Sequence, residues 1–224
     1  MRPAIRMTRG AASRGAFDPR LEAGPHRGFL PRLATLLCLL ALAVPAHAQF
    51  LYRQVALPEL SQRAPIIVQG RIVEARYEGH PDYPHLSTVL VTLQVERTLR
   101  GPAVERLSFR EFLPGLHARI GKRRYLVGQR LLLFLPEPSR YGLSSPLGGE
   151  QGRFHIWRDQ RGNELVENEL RNAGLFKDLA GAAAQAGVSL SPEQLRLAGV
   201  AHGPVPLTDL VSVVKQFASL ARTE

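Results

Sequence analysis

VGQRLLLFLPEP, Val127 to Pro138, sets five consecutive apolar residues between an arginine and a Pro-Glu-Pro exit. A helix that crosses a bilayer needs about 20 apolar residues, so Leu131 to Leu135 is far too short to be a membrane span. A strand with one wet face alternates apolar and polar side chains, and this run does not alternate. A short unbroken apolar run bounded by turn residues is expected of a strand covered on both faces. The fold therefore turns on what lies on each side of LLLFL.

Upstream, Pro65 introduces IIVQGRIVEARYE, Ile66 to Glu78, a β-branched run that predicts a strand. Its apolar set changes phase between Val68 and Val73, and Gly70 sits at the change, as expected of a bulge where the strand bends. After the loop GHPDYPHLS, residues Val89, Val91, Leu93 and Val95 alternate with Thr88, Leu90, Thr92, Gln94 and Glu96, which predicts a half-buried antiparallel strand. RLSFREF, Arg106 to Phe112, gives a third strand with Leu107 and Phe109 inward. Tyr125 to Leu135 gives the fourth, and RFHIWR the fifth, with Phe154 and Ile156 inward. DQRGN can close a hairpin onto Glu164 to Glu167. Five strands with a bent first member predict a small OB-like β-barrel over residues 65–168, mainly β and α+β overall.

From Asn172 the chain turns Ala-rich and helical, so residues 169–224 are expected to form a helical C-terminal segment. A helix is expected over Ala173 to Gly187, and Ser191-Pro192-Glu193 is a start signal for a short second one. The last helix is the clearest. Leu207, Leu210, Val211, Val214, Phe217, Ala218 and Ala221 recur at helical spacing, with Thr208 or its neighbour as cap. Such a stripe must be buried, and it is the available cover for the outer face of LLLFL.

The second apolar run, Leu33 to Val44, is twelve residues long, follows an Arg-rich stretch and precedes PAHAQF. That is the pattern of a secretory signal peptide over residues 1–48, with Met1 or Met7 as start. Ala46-His47-Ala48 predicts cleavage between Ala48 and Gln49, which exports the chain to the periplasm or the exterior. Residues 49–64, with no clear period, are a lead-in to the barrel, and no transmembrane span is expected in the mature chain. Seven of the 29 basic residues and two of the 19 acidic ones lie in positions 1–48, so the mature net charge falls from +10 to +5. Half of the basic excess thus belongs to the targeting segment. The sole cysteine, Cys38, leaves with it, so no disulfide or thiolate metal site is expected.

The order IIVQGRIVEARYE, STVLVTLQVERTLRG, VGQRLLLFL and GRFHIW resembles a group of secreted bacterial proteins of unassigned function. Their barrel is similar to the OB-fold of netrin-like and tissue-inhibitor-of-metalloproteinase domains. The likeness spans Pro65 to Arg158 and rests on packing and turn motifs, so it implies a fold and not a chemistry. The metalloproteinase inhibitors of that barrel type chelate zinc through an N-terminal cysteine. This chain departs there, because its expected first residue is Gln49 and its mature part holds no cysteine.

Hydrolase signatures such as H-E-x-x-H and G-x-S-x-G are absent, and GLSSP, Gly142 to Pro146, lacks the second glycine of a nucleophile elbow. No cofactor is expected. His80, Asp82 and His85, in HPDYPH, are the candidate metal ligands. Tyr77, Tyr83, His85 and Tyr141 are the candidate binding residues, since loops on a rigid barrel carry recognition. Nucleic acid is an unexpected partner: the outward face of the second strand offers no aromatic for base stacking. The sequence thus predicts an exported, non-enzymatic binding or envelope-interaction module whose partner is an envelope protein, glycan or small ligand. The alternative is an enzyme using Asp, Glu or His without a familiar motif.

Overall fold

Three long strands set the frame. In the computed structural model, which describes residues 53–113 and 124–220, β1 (Ile66–Gly79), β2 (Ser87–Arg100) and β3 (Arg106–Phe112) form an antiparallel meander. On the other side of β1 lie β4 (Arg130–Leu135), β5 (Arg153–Arg158), β6 (Glu164–Asn168) and the two-residue β7 (Val205–Pro206). All seven belong to one antiparallel sheet of order β3-β2-β1-β4-β5-β6-β7. Among the described residues four α-helices accompany it: α1 (Leu57–Arg63), α2 (Leu179–Gln185), α3 (Pro192–Ala198) and α4 (Leu207–Leu220). The class is α+β, as expected.

Closure of the expected five-stranded OB-like barrel is not seen among the described residues. The sheet has seven strands and is open, with β3 and β7 as its edges. DQRGN does turn β5 into β6, with the Asp159 carboxylate accepting from the N–H groups of Arg161 and Asn163, and β6 then recruits β7. Opposite, the outer edge of β3 carries one isolated parallel bridge, Arg110 to Leu143. A single bridge is not a ladder, and a barrel closes only when the outer strands pair along their length.

Gly70 marks the bend of β1. Register shifts against β2 fall between Ile67 and Val68, Gln69 and Gly70, and Ile72 and Glu74. A Cβ at position 70 would lie 2.6 Å from the Gln94 carbonyl oxygen, so only glycine allows β2 to cross this closely.

LLLFL is covered on both faces. Leu131, Leu133 and Leu135 pack with Val68, Ile72, Val89, Val91, Leu93 and Phe109 on one face of the sheet. Leu132 and Phe134 pack with Phe154, Ile156 and the α4 residues Leu210, Val214 and Phe217 on the other. None of the five is more than 1% exposed. Full burial of such a side chain is worth about 1.5–3 kcal/mol, so the terminal helix is part of the core.

The same layer contains a helix that the sequence reading missed. Residues 49–64 have no clear period because α1 is only two turns long, yet Leu57 and Leu60 are fully buried beside α4. The Leu57 N–H donates to the Leu175 carbonyl, and the Val55 N–H to the Gln151 side chain. The Ala-rich helix is shorter than expected. Arg171, Asn172 and Asp178 all have positive φ, and the buried Asn172 amide donates to the carbonyls of Val166 and Gly203. Those bonds hold a series of turns in place until α2 starts at Leu179. α3 begins where expected: Ser191 caps it in a capping box with Gln194. Thr208 lies within α4, which starts at Leu207 directly after β7. Among the described residues no helix is long and apolar enough to cross a membrane.

Candidate binding site at the hairpin tip

β1 and β2 pair from Ile67 through Gly79, well beyond the reach of β4, while β3 runs beside β2 to its start, with Phe112 opposite Thr88. The tip is a seven-residue loop built of two successive turns. The Tyr83 N–H donates to the His80 carbonyl, and the Leu86 N–H to the Tyr83 carbonyl. Gly79 is required at its base, since a Cβ there would lie 2.5 Å from the Pro84 carbonyl oxygen. The loop itself lies beyond these ladders and is braced from elsewhere in the chain.

Support comes from the segment after β4. Ser139 organises it: its carbonyl accepts from the Gly142 N–H, and its hydroxyl accepts from the N–H groups of Tyr141 and Leu143. The Ser144 N–H donates to the Arg110 carbonyl of β3, and its hydroxyl to the Pro136 carbonyl at 3.1 Å. Ser144 is therefore a buried structural serine, not a nucleophile. His80, 4% exposed, joins the two loops. Its Nε2 lies 2.8 Å from the Tyr141 carbonyl oxygen, and its Nδ1 accepts from the Asp82 N–H.

Between the loops opens a cleft of about 330 Å³ lined by His80, Asp82, Tyr83, Arg110, Arg140 and Tyr141. Tyr83 stands at its centre. Its ring centroid is 5.2 Å from that of His80 and 5.6 Å from that of Tyr141, the two tyrosines meeting edge to face at 82°. Edge-to-face rings of this kind hold one another in place. Both tyrosines keep about two-fifths of their surface in solvent, at 38% and 42%.

The two arginines differ. Arg110 is committed: its guanidinium donates to the Thr88 hydroxyl and to the Glu78 carboxylate, each at 2.9 Å. Arg140 lies over the Tyr141 ring, 4.7 Å from its centroid, and donates to that tyrosine's hydroxyl. It makes no ion pair among the described residues. The cleft thus offers rigid aromatic faces, one uncompensated cation and the exposed acceptor Asp82.

Of the expected binding residues, Tyr83 and Tyr141 come together as a pair. His85 stands at the rim, its ring 6.5 Å from that of Tyr83. Tyr77 is elsewhere: its hydroxyl accepts from the Tyr125 N–H and donates to the Tyr125 carbonyl. His80, Asp82 and His85 do not assemble as metal ligands. Both ring nitrogens of His80 are engaged by main chain, and among the described residues no group of three or more His, Cys, Asp or Glu is placed to hold a metal ion. Thr88, expected on the outward face of β2, is 1% exposed because Arg110 covers it. The cleavage residues Ala48 and Gln49, and Ala221 of the C-terminal stripe, lie outside the described residues.

A second cluster was not legible in the sequence. Glu111 and Tyr125 are buried at 2% and 0% exposure, and the Tyr125 hydroxyl donates to the Glu111 carboxylate at 2.5 Å. Arg124 pairs with Glu111 at 2.8 Å and also with Glu150. Arg153, 3% exposed, donates to Glu150 and Glu169 and lies over the Tyr125 ring. Burial raises Glu111 above the ordinary carboxylate range, against the pull of Arg124 and the Tyr125 hydroxyl. The same burial pushes Tyr125 well up. Glu111 lines neither the tip cleft nor the second cleft, of about 520 Å³, bordered by Arg71, Glu96, Arg130 and Arg158. In that second cleft Arg130 is already saturated by Glu96 at 2.7 Å and Glu164 at 2.6 Å.

The chain matches no protein-family model, and no curated protein matches it either.

Proposed function

We propose that this chain is an exported, non-enzymatic binding module whose ligand seat is the cleft at the β1–β2 tip. The observation that carries the reading is the joining of two loops by His80, which presents Tyr83, Tyr141 and Arg140 on one wall. Pre-ordered aromatic side chains lose little conformational freedom on binding, which favours recognition over chemistry.

Export rests on the signal-peptide pattern of residues 1–48. The OB-like barrel reading, and with it the likeness to netrin-like domains, is supported by the bent β1, the β1–β2–β3 meander and the Arg110–Leu143 bridge. It remains the finer proposal on a sheet that is open.

The enzyme reading draws on Glu111, a buried carboxylate with a raised pKa beside a tyrosine hydroxyl. Such a pair suits general acid–base work only where a substrate reaches it. Glu111 is instead enclosed between Tyr125 and Arg124, which favours the binding module.

The test is ligand-induced stabilisation. An envelope extract should raise the melting temperature of the wild type and not of a Tyr83→Ala/Tyr141→Ala variant, with no extract component consumed. Stabilisation that survives in the variant, or turnover abolished by Glu111→Gln, would reverse the conclusion. Sequencing of the exported protein should begin at Gln49.

A further inference from the structure

We infer that the ligand of the tip cleft is an acidic saccharide, a sugar ring bearing a carboxylate. The inference rests on the binding-module reading and goes beyond it in naming the chemistry. Tyr83 and Tyr141, each about two-fifths exposed, set their rings at 82° and form an apolar corner against which the C–H face of a sugar can pack. A small inorganic anion would leave that surface unused.

Arg140 supplies the second half. Its guanidinium is fixed over the Tyr141 ring, anchored to that residue's hydroxyl, and carries no ion pair among the described residues. A planar guanidinium held at an open cleft matches a carboxylate in two parallel hydrogen bonds. A neutral sugar would leave this cation unanswered.

Asp82 supplies the third. Its carboxylate is exposed at the same rim, with no ion-pair partner among the described residues, and accepts from donor hydroxyls. A peptide of acidic side chains has no ring hydroxyls to offer it. The volume of about 330 Å³ is at the small end of ligand sites and suits one or two sugar rings. The second cleft offers a single aromatic, Trp157, in place of a tyrosine pair; there Arg130 and Arg158 pair with Glu96 and Glu164, and Arg71 donates to the Gly128 carbonyl.

Isothermal titration of the purified protein tests this with an oligogalacturonate, a malto-oligosaccharide of the same length, a polyglutamate peptide and free galacturonate. The oligogalacturonate should bind saturably, and about tenfold more weakly after Arg140→Ala, the worth of one charge-assisted contact. Tyr83→Ala should weaken it further, while Arg71→Ala, in the other cleft, should change nothing. Free galacturonate binding as well as the oligomer identifies a soluble sugar acid as the source; the oligomer alone identifies a polysaccharide. Equal binding of the malto-oligosaccharide overturns the inference and leaves the module reading standing. Equal binding of polyglutamate, loss on Arg71→Ala only, or no binding by any probe also overturns it. In that last case the extract experiment decides the module reading separately.

Discussion

The imidazole of His80 donates from Nε2 to the Tyr141 carbonyl at 2.8 Å while its Nδ1 accepts from the Asp82 N–H at 3.1 Å. The accepting Nδ1 fixes the proton on Nε2, so a neutral ring joins the β1–β2 tip to the segment after β4. Replacing it leaves a carbonyl and an N–H without partners. His80→Ala should therefore cost about 1–3 kcal/mol in urea unfolding and weaken ligand binding at the cleft. A variant with an unchanged midpoint would show that the loops hold without it.

Because both nitrogens of His80 are engaged, zinc should leave the melting temperature of the wild type and of His80→Ala unchanged. A zinc-dependent rise seen only in the wild type would restore His80, Asp82 and His85 as ligands.

The Phe217 ring is fully buried in the layer that covers Leu132 and Phe134. Phe217→Ala opens a cavity there and should cost about 3–5 kcal/mol, read as a lower urea midpoint. Removal of residues 205–224 should expose the outer face of LLLFL and cause aggregation.

Gly70→Ala would drive a methyl group into the Gln94 carbonyl, 2.6 Å away. Neither backbone can yield without breaking the β1–β2 ladder, so the cost should be about 1–3 kcal/mol by thermal melting. An equally stable variant would mean that the bend in β1 is not needed.

Glu111 should tie stability to pH. Burial raises its pKa above 4.5 in the folded chain, so the folded state holds this proton to higher pH than the unfolded one. Its contribution is complete below 4.5 and is lost as pH rises through the folded value. Glu111→Gln should flatten that decline in urea midpoints measured upward from pH 4.5. Glu96 and Glu164, both lowered by Arg130, act in the opposite sense and lose their contribution as pH falls. An unchanged slope in the variant would assign the pH dependence to other groups.

Much of this fold was legible because its signals are local. LLLFL was read as a strand covered twice, Gly70 as a bend and the stripe from Leu207 as a buried helix face, and the described residues show all three. α1 was missed because two turns are too short to show a period, and β7 because two residues carry no pattern. The Ala-rich helix was drawn too long because propensity ranks alanine highly, whereas the buried Asn172 amide bonds to distant carbonyls.

The candidate site divides in the same way. Tyr83 and Tyr141 were visible as loop aromatics, but 58 positions part them in the chain, and only the folded backbone sets their rings edge to face. HPDYPH suggested metal ligands by residue type alone, and the hydrogen-bond partners of His80 decided otherwise. Glu111 reads as one more polar residue in an alternating strand until Tyr125 and Arg124 close over it.

By itself, then, the sequence determined where strands and helices form, which faces must leave water and which segment has the pattern of an export signal, because period, turn chemistry and hydrophobicity act between near neighbours. The tertiary structure decided the strand order, the open sheet, the cleft between two loops and the buried charge network. Those depend on pairings across tens of residues, where burial and a specific hydrogen-bond partner outweigh local preference.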